Sequence, residues 1–166
     1  MIVRTETPAD AAAIHRLNEL AFGQPAEAEL VDVLRVAARP FLSLVAEEGG
    51  EIAGHICFTP VTMEDSLAAC AALAPMAVLP GHQREGIGSR LVEAGLEECR
   101  RDGFGLVVVL GHPEYYPRFS FRPASSFGLR CEYDVPDPAF MALELTPGAA
   151  DGVQGLARYH AAFAAL

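Results

Sequence analysis

Gln83-Arg84-Glu85-Gly86-Ile87-Gly88 is the stretch of this chain best suited to chemistry. An apolar run over residues 73–79 precedes it, and a helical pattern follows it. A strand, a glycine-bearing turn and a helix start together make an anion site. The first N–H groups of a helix lack an internal partner, and the macrodipole adds about half a positive charge there. Gly86 and Gly88 carry no Cβ, so a phosphate can come close to their N–H groups. Gln83 and Arg84 add polar and cationic donors just ahead, which suits a pyrophosphate. Arg84 and Ser89 can assist through their side chains. Arg90 either reaches a phosphate or is an exposed helix residue.

Two other phosphate loops fit less well. A Walker A loop needs G-x-x-x-x-G-K-S/T. Gly81 and Gly86 have the glycine spacing, but Ile87-Gly88 stands where the lysine and hydroxyl belong, so ATP and GTP are not expected. In the dinucleotide pattern G-x-G-x-x-G, Leu91 occupies the third glycine position, and this turn lies mid-chain instead of at the first βα turn. A glycine turn that binds nothing is the plain alternative for a G-x-G alone.

The composition bounds the rest. The 166 residues suit one domain, 1–166, with a core of its own, and 51% hydrophobic with 20% charged content is globular. No apolar run approaches the roughly 20 residues of a transmembrane helix, and the N-terminal residues lack a signal peptide's regions. Cys57, Cys70, Cys99 and Cys131 are scattered, which suits buried thiols in a reducing cytoplasm better than disulfides or zinc ligands. The net charge of −10 argues against a nucleic-acid surface and weakly favours a cationic substrate. The histidines stand apart from cysteine and acidic residues at ligand spacing, so no metal site is expected.

The elements that must carry these residues follow from periodicity and punctuation. Residues 2–5 read as a strand. Thr7, Pro8 and Asp10 read as N-cap, first helical residue and capping-box acid of a helix to about residue 22. Gly23-Gln24-Pro25 breaks it, and a second helix covers about 26–38. Residues 41–47 and 51–60 form a hairpin about Gly49-Gly50, with 61–63 as its continuation. Residues 70–79 are apolar on both faces and read as a central strand. Residues 86–102 form the long helix, ended by Gly103. Residues 106–110 are a second buried strand, joined to the first by a right-handed crossover. Residues 111–121 are a short helix leading to a strand, and 140–145 are a strand.

This order resembles that of the GCN5-related N-acetyltransferases. Gln83-Arg84-Glu85-Gly86-Ile87-Gly88 satisfies that family's Q/R-x-x-G-x-G/A loop. Tyr116-Pro117-Arg118-Phe119-Ser120-Phe121 resembles its Y-x-x-x-G-F signature, with Ser120 in place of the glycine. The stretch 109–121, residues 54–61 and the ending Tyr159-His160 with Phe163 are similar to a bacterial subgroup of expected acetyltransferases. The resemblance implies an α/β (α+β) fold. Its mixed, mostly antiparallel central sheet would contain a splayed parallel strand pair and be flanked by helices on both faces.

It also implies a chemistry. Acetyl-CoA, the co-substrate, gives its acetyl group directly to a small-molecule or peptidyl amine, with no metal. The pantetheine arm would pair with the free edge of Met76-Ala77-Val78, and the N–H of Val78 or Met76 would help hold the thioester carbonyl. Gln83, Arg84, Glu85, Gly86, Ile87, Gly88 and Ser89 would hold the pyrophosphate. Arg118 and Arg122 are candidates for the cofactor's far end or a carboxylate. Tyr116 aligns with the family tyrosine beside the sulfur. A phenol, of ordinary pKa near 10, can hydrogen-bond a departing thiolate and protonate it; Tyr115 is the backup. The general base is open among Glu64, Asp65, His112 and His55. His112 ends the second buried strand, and a histidine's pKa near 6.5 suits a base. The alternatives are an acyl-CoA-binding or regulatory module without turnover, or transfer from another acyl-CoA. A cytoplasmic protein is expected, as is pairing into a homodimer through an edge strand.

Overall fold

Nine strands and three α-helices make up this computed structural model, which describes residues 1–166. They are β1 (Ile2–Thr5), α1 (Ala11–Phe22), α2 (Ala26–Ala37), β2 (Leu42–Glu48), β3 (Glu51–Met63) and β4 (Cys70–Val78). Then come α3 (Ile87–Arg101), β5 (Leu106–Leu110), β6 (Arg122–Pro123), β7 (Leu129–Cys131), β8 (Phe140–Glu144) and β9 (Gly155–Arg158). The main sheet runs β1-β2-β3-β4-β5-β8-β6, and β9 joins the end of β3 to β7. Neighbours are antiparallel except for β4–β5 and β7–β9.

Side-chain alternation divides the core into two layers. Leu44, Ile56, Phe58, Ala71, Leu73, Val107 and Val109 face Ile87, Leu91, Val92 and Cys99 of α3. Their neighbours turn to the other face. There Val45 and Cys57 meet Ile14 of α1 and Val31 of α2, while Cys70, Ala72, Leu106 and Val108 meet Leu30 and Leu34 of α2. Gly54 lets α3 sit close on β3: a Cβ there would lie 2.7 Å from Ile87 Cγ2 and 2.9 Å from Leu91 Cδ1.

The start of α1 is tied as its residues predict. The Asp10 carboxylate accepts from the Thr7 N–H at 2.7 Å and from both ends of the Arg4 guanidinium, which hold it far below the usual carboxylate range. The helix begins as a 3-10 turn over Pro8–Asp10. A polar chain crosses the α1–α2 face of the sheet. The Asn18 amide donates to His55 Nδ1 at 3.3 Å, and His55 Nε2 meets Ser43 Oγ at 2.9 Å. The Ser43 hydroxyl donates to Glu6, which pairs with Arg35 at 2.6 Å. His55 is fully buried, and desolvation pushes its pKa down to about 3. It is a neutral core residue away from the cleft, which removes it from the base candidates.

The second half differs most from the sequence expectation. The Tyr-rich segment is a 3-10 turn, Tyr116–Phe119, and its following strand is two residues long. β7 and β9 have no clear periodicity because each is short and pairs mainly with the other. The cysteines are free thiols; Cys57, Cys70 and Cys99 are buried, and desolvation raises the pKa of each. No helix is long and apolar enough to cross a membrane.

Candidate active site

β4 and β5 run together only from Cys70↔Leu106 to Leu73↔Val109. Beyond Leu73, β4 continues beside β3 alone, so its other edge is open. The divergence coincides with an irregularity in the β3–β4 register between Ile56 and Phe58. Side-chain parity flips there: Ala71 and Leu73 face α3, and so do Met76 and Val78. One extra residue at Ala74–Pro75 accounts for that flip, as a bulge does.

The bulge also decides which backbone groups face the gap. The Leu79 N–H bonds the Ala53 carbonyl at 2.9 Å. Bonded and non-bonded pairs alternate along an antiparallel ladder, and the register is Val78↔Gly54, Ala77↔His55 and Met76↔Ile56. Ala77 therefore turns its N–H and C=O to β3, while Met76 and Val78 turn theirs into the gap. This corrects the expectation for Ala77: its backbone is spent in the sheet, its side chain is buried, and it offers a ligand nothing.

The loop after β4 meets the gap at α3. Gln83 Nε2 donates to the Val78 carbonyl at 3.2 Å. Arg84 (φ +65°) and Gly86 (φ +86°) adopt left-handed backbone, the latter as the N-cap of α3. The Arg90 N–H reaches the Gly86 carbonyl at 3.1 Å. Helix geometry leaves the N–H groups of Ile87, Gly88 and Ser89 for an anion. Ile87 can take part only through its backbone, because its side chain is core. Glu85 points away: its carboxylate lies 3.8 Å from His82 Nδ1, which is 3.5 Å from Glu48. The histidines thus do not all stand apart from acids, as their spacing suggests; the hairpin turn brings Glu48 to His82.

The opposite wall is the exit of β5. The His112 carbonyl accepts from the Tyr115 and Tyr116 N–H groups at 3.1 and 3.4 Å. The two rings meet edge to face with centroids 5.1 Å apart. Tyr116 is nearly buried and rests on Gly111, where a Cβ would lie 2.6 Å from the ring. Burial first, and Tyr115 second, push its phenol up to about 12, so it keeps its proton across the neutral range. Tyr115 reaches across to Gly88, which Met76 also flanks. Arg118 lies over the Tyr115 ring at 4.4 Å and donates to the Tyr115 carbonyl at 3.0 Å. Ser120 takes φ +74°, the left-handed region where glycine is at ease.

These walls enclose an open cavity of about 790 Å³. Of the residues singled out by sequence, Met76, Val78, Gln83, Arg84, Gly86, Gly88, Ser89, His112 and Tyr116 line it, with Tyr115 and Arg118. Arg90 is exposed and outside it, and Arg122 lies over the Phe127 ring at 4.5 Å instead. Glu64 is also outside. It sits beyond the end of β3, its N–H on the Leu156 carbonyl and its carboxylate 3.9 Å from Arg130. The hairpin carries it to the start of β4, whereas the gap opens at that strand's other end, so it leaves the base candidates. Phe22 and Glu27 line the cavity although nothing in the sequence reading singled them out. The signal for them was the Gly23-Gln24-Pro25 break, which puts both at one end of the α1–α2 pair.

Comparison with known proteins agrees with this geometry. The family model described as "Acetyltransferase (GNAT) family" matches residues 11–116. The chain is 36% identical over 164 residues to the N-acetyltransferase YhbS of Escherichia coli K12, named as uncharacterized, covering 98% of each. The crystal structure of Escherichia coli YhbS in complex with CoA superposes with a TM-score of 0.93 at 35% identity, over 98% of this chain and 91% of that one. A GNAT family acetyltransferase from Brucella melitensis in complex with acetyl-CoA gives 0.82 at 39% identity, over 98% and 97%.

Proposed function

The chain belongs to the GNAT family of acetyltransferases, and on that premise we propose that it moves an acetyl group from acetyl-CoA directly to a primary amine within one ternary complex. The observation that carries this is the free edge of β4 beyond Leu73, opening beside the uncapped N-terminus of α3. Relatives similar along nearly the whole chain bind CoA or acetyl-CoA.

In this reading the pyrophosphate rests on the N–H groups of Ile87, Gly88 and Ser89, with Gln83 and Arg84 beside it. The pantetheine amides pair with the outward N–H and C=O groups of Met76 and the N–H of Val78, whose carbonyl Gln83 holds. The thioester then lies in the gap, its carbonyl oxygen on one of those N–H groups. Attack by the neutral amine forms the C–N bond and concentrates charge on that oxygen, where a fixed donor is most effective. Collapse breaks the C–S bond. Tyr116 donates a hydrogen bond to the departing thiolate. With a phenol near 12 and a thiol near 8.5, complete proton transfer to sulfur is uphill. Tyr116 therefore acts chiefly by stabilising the thiolate's charge. His112, at the exposed rim of the gap, takes the amine's proton directly or through water. A homodimer through the free edge of β1 belongs to the same reading.

The test is titration calorimetry with acetyl-CoA on wild type and Gly86→Glu, with ATP and NAD as controls, followed by release of free CoA thiol in the presence of amines. Micromolar acetyl-CoA binding that is lost in Gly86→Glu, together with amine-dependent thiol release, is the expected result. No binding of acetyl-CoA overturns it; binding without release for any amine leaves a CoA-binding module instead.

A further inference from the structure

The cavity is bordered from both faces of the sheet. Its lining includes the α3 loop on one face and, at Phe22 and Glu27, the turn between α1 and α2, which cover the other face. Between these faces lies the gap where β4 leaves β5. A cofactor held by its phosphates at α3 presents its thioester in that gap, so the second substrate comes from the α1–α2 side.

That side is acidic: Glu27 lines it, and so does the last residue, Leu166, with its terminal carboxylate. Glu27 is the only carboxylate side chain lining the cavity; its arginines, Arg84 and Arg118, belong to the α3 loop and to the exit of β5. Both Glu27 oxygens accept from the Gln24 amide, at 3.0 and 3.1 Å. Beside it Phe22 is 40% exposed, an apolar surface at the mouth. Glu27 is half-buried in the first turn of α2. It therefore meets the outward end of an acceptor, not the nitrogen reacting in the gap.

We propose that Glu27 and Phe22 form an acceptor subsite for an amine whose far end is also cationic, with Phe22 against its aliphatic middle. The substrate class is a diamine, or a longer chain bearing a second ammonium. An acceptor with a carboxylate at that end would meet Glu27 as a like charge and be rejected. This rests on the acetyltransferase reading above, and it names the class of acceptor.

The experiment uses three four-carbon amines that differ only at the far end: putrescine (ammonium), n-butylamine (methyl) and γ-aminobutyrate (carboxylate). Each is titrated into the full-length protein saturated with CoA, so the readout does not need turnover. Wild type is expected to bind putrescine at least tenfold more tightly than n-butylamine, and γ-aminobutyrate least. Glu27→Gln should remove the preference and Glu27→Lys should reverse it, with CoA affinity unchanged in both. A wild type that does not prefer putrescine, or a preference that survives Glu27→Gln, overturns the subsite. Loss of CoA binding or of acetyl transfer in wild type would instead sink the transferase reading, so the two failures are distinct.

Discussion

The hydroxyl of Tyr115 abuts Gly88: a Cβ on that glycine would lie 2.9 Å from the phenol oxygen and 3.6 Å from Met76 Cε. The exit of β5 thus touches the first turn of α3, across the gap that parts β5 from β4.

Gly88→Ala should leave the fold intact, because alanine is the better helix former and the phenol can swing aside. It should swing toward the cavity and weaken acetyl-CoA binding by about tenfold, or roughly 1.4 kcal/mol. Adding Tyr115→Phe, which deletes the crowding oxygen, should recover most of the loss. Calorimetry on both variants checks this, and an unaltered Kd in Gly88→Ala would refute it.

Tyr116→Phe should lower kcat by about a hundredfold, the low end for loss of a positioned donor, with acetyl-CoA affinity within about threefold of wild type. Steady-state kinetics with parallel calorimetry separates the two. An unchanged kcat would exclude Tyr116 as the donor. A pH–rate profile identical in wild type and His112→Ala would likewise exclude His112 as the base.

Ser120→Gly should stabilise the protein. A residue with a Cβ at φ +74° costs about 1–2 kcal/mol, partly offset by glycine's greater freedom when unfolded. The net gain should be about 0.5–1 kcal/mol, or roughly 2 °C in Tm. Differential scanning fluorimetry would detect it, and a lower Tm would contradict it.

His55 sets a pH dependence on stability. Its pKa is about 3 in the fold and near 6.5 when unfolded, so the unfolded chain takes up the proton first as pH falls. The stabilisation is complete above about 6.5 and is lost progressively as pH falls toward 3. At pH 5 the loss should be about 2 kcal/mol. Urea midpoints at pH 7.5 and 5 should fall accordingly in wild type and stay closer together in His55→Gln. Equal slopes in both would assign the effect elsewhere.

Much of this protein was legible from local spacing. The loop Gln83–Gly88 could be read because a helix N-terminus supplies free N–H groups wherever the helix starts, whatever surrounds it. The layers were legible because strand alternation and helical periodicity are properties of consecutive residues. Tyr116 was legible through its motif, and Ser120 shows the reason for a glycine in that motif: the position needs left-handed backbone.

Tertiary structure decided what depends on neighbours distant in sequence. Met76, Ala77 and Val78 are equivalent as an apolar run. Only the register against β3, shifted by one residue at Ala74–Pro75, turns two of them to the gap and the middle one away. The sequence singled out Glu64 as a candidate acid and passed over Glu27. The hairpin carries one to the closed end of β4, and the α1–α2 turn carries the other to the open end. An edge is free only where a neighbouring strand departs. That departure is set by the packing of two strands against different partners, which no spacing within either strand encodes.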